Sequence, residues 1–253
     1  MIPSQNTGSQ SRLVEKLYQV GSLIPPYVSV ARIHHIARII EVAGTNFGQQ
    51  ELEQVLSALF TPEILATMVL NRYPQTPVIQ EFQVIISEGV AAHFLKLDHI
   101  AASGLVPVVE GATRRLAEKH GLQARKFMGT LSGLVEHCKT HVTEKRIGNV
   151  IEIMSMLESF EMFLSKVLFV NTDDYAFTDG TNRHGMAHGL FADAAFGSPL
   201  NFYKILTAIN FLTFMSALYF GGSGFVPDET PQSLALARHY HALRQIASGQ
   251  PTK

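Results

Sequence analysis

Residues 149–170, NVIEIMSMLESFEMFLSKVLFV, decide the fold class. Ile153, Leu157, Phe160, Leu164 and Leu168 recur at intervals of four, three, four and four, while Glu152, Glu158 and Glu161 fall elsewhere on the cylinder. That is the period of an amphipathic helix, one stripe buried and the rest solvated. Working outward, the same spacing fills residues 12–21, 28–44, 49–60, 61–73 and 78–97. Thr61-Pro62-Glu63 is a helix start, with Thr61 as cap and Pro62 in the first turn. Downstream, Asp98 is expected to cap a helix running to about His120, where Gly121 ends it, with a kink or break near Val106 imposed by Pro107. Further helices are expected over residues 123–139, 201–220 and 231–247, with Gly197-Ser198-Pro199 as a turn and Gly221-Gly222-Ser223-Gly224 as a joint. No run alternates with a period of two, so no strand is expected. The chain reads as all-α.

Composition narrows the class of protein. Apolar residues make up 46% and charged residues 16%, enough to bury a sizeable core. A single cysteine, Cys138, excludes an internal disulfide and favours a reducing compartment. Residues 1–11 are polar and lack the apolar core of a signal peptide. Residues 205–220 carry no charge, but Thr207, Asn210, Thr213 and Ser216 interrupt them, and 16 residues fall short of a bilayer span. A buried core helix is expected there, in a cytoplasmic protein with no membrane contact.

Net charge is −1, which argues against a chain coated for nucleic acid. Its distribution is uneven. Residues 112–146 hold 8 basic groups against 3 acidic ones, with His120, His137 and His141 among them. This reads either as a solvated helix pair or as a phosphate-contacting face. His137-Cys138-x-x-His141 and His34-His35, flanked by Arg32 and Arg38, are expected on helix surfaces, with Cys138 inert.

Residues 181–189, TNRHGMAHG, concentrate groups that act on phosphate. Arg183 offers a permanent cationic fork. His188 exchanges a proton near neutrality, and Asn182 and His184 add polar contacts. On an ideal helix five positions turn side chains apart by roughly 140°, so Arg183 and His188 converge only if Arg183 reaches round the helix start or a second subunit contributes. Two other readings stay open. His184 and His188 could hydrogen-bond to the preceding loop while Arg183 pairs with Asp174 or Asp179. Alternatively, His184 and His188 could bind a metal with Asp179 or Asp193.

The pattern Asn-Arg-His, three residues, then His-Gly resembles the HEPN superfamily, in particular its abortive-infection-type proteins. The resemblance extends to Pro107, Glu110 and Arg114, which look like a proline-glutamate-arginine helix ahead of the motif, and covers about residues 95–222. It implies a HEPN-like bundle at 91–226, preceded by helices of unassigned role at 1–90 and followed by a helix and tail at 227–253. It further implies a metal-independent endoribonuclease without cofactor, acting on RNA as a homodimer in bacterial defence or a toxin-like response, with a regulatory protein as a further partner. Carried over, Arg183 holds the scissile phosphate, His188 is the acid or base for attack by the ribose 2′-hydroxyl, and His184 takes the polar place after the arginine. Asn182, Arg114 and Arg115 would contact substrate. Leu190 stands where some such toxins carry a modifiable tyrosine, so that control is not expected. The apolar helix at 205–220 and the motif helix are candidates for the dimer surface. A non-catalytic HEPN-like module that binds protein or RNA is the alternative.

Overall fold

The computed structural model describes residues 7–122 and 126–249. Among them there are eleven α-helices and no strand. The first four are α1 (Thr7–Gln19), α2 (Val30–Ala43), α3 (Gln49–Leu59) and α4 (Pro62–Thr67). Next come α5 (Gln83–Phe94), α6 (Asp98–Lys119), α7 (Phe127–Lys145) and α8 (Val150–Phe163). The last three are α9 (Arg183–Ala187), α10 (Pro199–Phe220) and α11 (Pro231–Ala247). The start expected at Gln123 lies outside the described residues.

α10 is the axis of the fold. Every residue from Leu200 to Ser216 is buried, as a helix apolar on all sides requires. Phe211 stacks on Phe160 of α8 with ring centres 4.4 Å apart, Tyr203 on Phe60 beside α3 at 5.7 Å, and Phe202 on His93 of α5 at 4.0 Å. Tyr73 donates to Asn210 Oδ1 at 2.7 Å, satisfying a polar group deep in the same helix. Among the described residues α10 is the single helix long and apolar enough to cross a membrane, and 78% of its apolar window is buried by its neighbours. It is a core helix. Covered within one chain from Leu200 to Ser216, it leaves residues 217–220 as its accessible part.

One apolar core runs from Leu13 to Tyr240 and joins side chains of all three expected segments. α1 packs on α8, α3 on α10, and α11 on α4 and α5. Thr61 caps α4 by accepting from the Ile64 N–H, as its sequence predicts.

α6 differs from expectation in two ways. It runs through Pro107 for 22 residues without the break that is one of the two outcomes expected near Val106. Pro107 removes the donor for the Ser103 carbonyl. Both residues are exposed, so that carbonyl is left on the solvent side. Nor does Asp98 cap the helix. The N-cap is Leu97, and the buried Asp98 carboxylate turns back to His93 Nδ1 at 2.6 Å.

Candidate functional site

The motif occupies a short knot between two long helices. The α-helical part of residues 149–170 ends at Phe163 and passes into one wide turn, Leu164–Leu168. The connector then leads to Asn182, which is fully buried. Its side-chain oxygen accepts from the Gly185 N–H at 2.9 Å, capping α9, and its amide donates to the carbonyls of Val170 at 2.8 Å and Val167 at 3.3 Å. Asn182 therefore fixes the start of α9 and holds it against the end of the preceding helix. Its amide and carbonyl are both engaged within the protein, so it does not face a substrate.

α9 spans only five residues, and this solves the geometry of the arginine–histidine pair. His188 has already left helical geometry, with φ −103° and ψ 8°. Gly189 at φ 65° then turns the chain back, so that Phe191 lies over Gly185 and the Phe191 N–H reaches the Gly185 carbonyl at 3.3 Å. A side chain at 185 would collide with that ring, so only glycine fits there. The 140° separation of an ideal helix does not apply. Arg183 NH1 lies 3.3 Å from His188 Nε2 and 3.3 Å from His184 Nδ1 within a single chain.

An arginine can only donate. Each contact is therefore a hydrogen bond only when the facing histidine nitrogen is unprotonated and accepts. Burial, reinforced by the charge of Arg183 and the nearness of His188, holds His184 below its ordinary pKa, with Glu110 opposing. His184 is therefore neutral at neutral pH, and its ring lies parallel to that of His188 with centres 5.9 Å apart.

Glu110 completes the site from α6. Its Oε1 accepts from Arg114 at 3.0 Å, the expected pairing across one helical turn, and its Oε2 lies 3.7 Å from Arg183. One carboxylate is thus shared by two arginines, and the glutamate and arginine side chains of the Arg183 pair stay 27% and 30% exposed. Beside them Pro107, Glu110, Arg183 and Met186 line a cavity of about 130 Å³. The upstream helix and the motif, 73 positions apart in sequence from Glu110 to Arg183, meet at one place.

The carboxylate partner of Arg183 is Glu110, and neither Asp174 nor Asp179 pairs with it. Asp179 is buried against Lys204 at 2.8 Å, and the Asp193 carbonyl receives His99. Neither aspartate joins the two motif histidines, and among the described residues no group of three His, Cys, Asp or Glu side chains is placed to hold a metal. Arg115 is engaged elsewhere, pairing with Glu81 and lying over the Phe82 ring at 4.8 Å.

In the basic stretch Arg114, Arg115 and Lys139 each meet a carboxylate, Lys119, Lys126, Lys145 and Arg146 are exposed without an ion pair among the described residues, and Arg125 lies outside them. His120, His137 and His141 are half-buried. All three gather round Tyr219 near the end of α10, and His137 Nδ1 lies 2.8 Å from its hydroxyl. Cys138 is buried between helices, and burial pushes its thiol up to about 12, far from thiolate chemistry.

Two partnerships, Lys204 with Asp179 and Glu110 with Arg183, carry no signal in local spacing. Lys204 looks like the start of an apolar helix, and Glu110 looks like half of a routine helix pair. Only the tertiary fold gives each its partner. No protein-family model, no curated protein and no solved structure matches the chain.

Proposed function

We propose that the chain is a metal-independent endoribonuclease of the HEPN type, cytoplasmic, acting as a homodimer on RNA in bacterial defence or a toxin-like response. The observation that carries this reading is the contact of one guanidinium with both motif histidines at 3.3 Å, on a face where His188 is exposed. A phosphate oxygen entering there takes N–H groups of Arg183 and frees the Nε2 lone pair of His188. That nitrogen then accepts the proton of the ribose 2′-hydroxyl. The 2′-oxygen attacks phosphorus, the bond to the 5′-oxygen breaks, and that oxygen takes a proton from solvent water, while His188 returns its own proton to solvent. Arg183 neutralises the charge that builds on the equatorial oxygens. The products are a 2′,3′-cyclic phosphate and a 5′-hydroxyl end. His184, held neutral, fixes Arg183 by accepting its third contact. Arg114 reaches the same phosphate once Glu110 releases it.

A second reading rests on Glu110. Its carboxylate sits where a phosphate would bind, and a site internally neutralised in this way suits a module that binds protein or RNA without cutting it.

The two separate in one assay. Wild type, Arg183→Ala and His188→Ala are incubated with a mixed RNA pool in chelator, and the ends formed are identified. The enzyme reading expects cyclic-phosphate ends from wild type and a loss of roughly 10²–10⁴ in rate in each variant. Saturable RNA binding without cleavage, weakened by Arg183→Ala, would establish the binding module instead.

A further inference from the structure

A second site lies on the N-terminal half of the molecule, where two cavities share Arg32 and Leu59 as a common wall. The first, of about 380 Å³, opens beside the start of α2 and is walled by Val28, Phe60, Ile64 and Met68. The second, of about 460 Å³, separates α2 from α3 between Ile36, Ile39 and Val55. Both fall in the size range of small-ligand pockets, largely apolar with a few placed polar groups. Two helices that leave such a gap forgo contacts that close packing would give them.

Two of the polar groups on these walls are free donors. Arg32 has no carboxylate within ion-pair distance among the described residues, although it stands between the two cavities. Asn210 uses its oxygen for Tyr73, and its amide nitrogen has no acceptor among the described residues. Tyr27 also lines the first cavity, on a backbone at φ 63° that a tyrosine rarely adopts, but its unpartnered hydroxyl is closed off from solvent. The exposed His35 stands on the second wall. The single carboxylate there, Glu51, already accepts from the Gly48 N–H at 2.9 Å. An apolar space with a permanent cation and a free amide N–H on its walls, its one carboxylate already engaged, fits an apolar body that ends in an anionic acceptor.

We propose that these cavities bind a medium-chain carboxylate, with Arg32 on the head-group and the chain lying between α2 and α3. The site is independent of the Arg183 centre and of whether that centre cuts RNA.

The test is titration of the full chain with octanoate and with 1-octanol, read by calorimetry and by melting temperature. Octanoate is expected to bind saturably and raise the melting temperature. Arg32→Gln should weaken octanoate roughly tenfold, the loss of about 1.4 kcal/mol of head-group contact, and leave octanol within about twofold. Ala58→Leu fills the second cavity from an exposed position, so the fold is kept, and it should weaken both ligands. No saturable octanoate binding by wild type overturns the proposal, and so does binding indifferent to both variants. If octanol binds as well as octanoate and Arg32→Gln changes neither, the carboxylate assignment falls. If Ala58→Leu changes the oligomeric state and not octanoate affinity, the cavities seat a second copy of the chain instead.

Discussion

Asp179 and Arg183 stand four positions apart in sequence, yet they belong to two kinds of charge site. The Asp179 carboxylate is 5% exposed and Lys204 is fully buried. Every contact between them is made: Tyr175 and Thr181 donate to the carboxylate, and Lys204 also reaches the Val20 carbonyl at 3.0 Å and Gln49 at 2.9 Å. Burial works to raise the Asp179 pKa, but the Lys204 charge and the hydrogen bonds hold it below the usual carboxylate range. The Glu110 carboxylate is half-exposed, shared by two arginines, and one of its contacts is long. The first site is saturated and can only hold the fold. The second keeps unspent capacity on both arginines, which is what a ligand site requires.

One chemical change, carboxylate to amide, should therefore give opposite results at the two places. Asp179→Asn leaves the Lys204 ammonium buried without a counter-charge and is expected to cost about 3–5 kcal/mol in urea unfolding. Adding Lys204→Met removes that orphan charge and should recover part of the loss. If the single variant is as stable as wild type, Lys204 is not held as a buried cation and the saturated site has been misassigned.

How far each site was legible follows from the same contrast. Helices declared by local chemistry were readable: α11 spans Pro231–Ala247, the segment its period and turn signals mark, and Thr61 caps α4 as expected. Glu110 with Arg114 was readable as well, because one helical turn fixes that distance. The partnership of Glu110 with Arg183, and of Asp179 with Lys204, is tertiary and leaves no mark on spacing. The charge-free run begins at Ile205, one residue beyond the lysine that anchors the buried network. Asparagine serves both as donor to a ligand and as helix cap, and the Gly185 N–H with the carbonyls of Val167 and Val170 holds Asn182 in the second use.

That assignment gives the next effect in size. Asn182→Ala removes the α9 cap and strands two carbonyls and the Gly185 N–H, an expected cost of about 2–3 kcal/mol. Under the ribonuclease reading it also lowers cleavage, since α9 carries Arg183. Lost cleavage with unchanged stability would make Asn182 a substrate contact after all.

A smaller effect concerns pH. Burial, with His137 and His141 nearby, holds His120 below its ordinary value near 6.5. Its Nε2 is buried without a partner. Where the folded value is depressed, the unfolded chain takes the proton first. Stability is then full above pH 6.5 and falls as pH drops from there towards the folded value. Burial depresses His184 in the same direction, so the two share the effect. His120→Phe should flatten the decline in urea midpoint between about pH 7 and pH 5.5, and His184→Gln should flatten the remainder. An unaltered decline in both variants would place the titrating groups elsewhere.

The smallest expected change in stability is at Glu110. Glu110→Gln keeps the shape of the side chain and removes a charge that solvent already screens, so unfolding should move by no more than about 0.5 kcal/mol. Its effect belongs to the site. Without the carboxylate, Arg183 and Arg114 are both released to an incoming phosphate, and RNA binding should tighten. Its dependence on salt should steepen by about one unit in the slope of log K against log salt. If Glu110 instead positions Arg183 for catalysis, binding tightens while cleavage falls, because the guanidinium is no longer aimed between His184 and His188. Glu110→Gln therefore distinguishes a carboxylate that only excludes anions from one that also orders the arginine. RNA binding that weakens in this variant would overturn the contrast itself, since Glu110 would then be holding the site together as Asp179 holds the core.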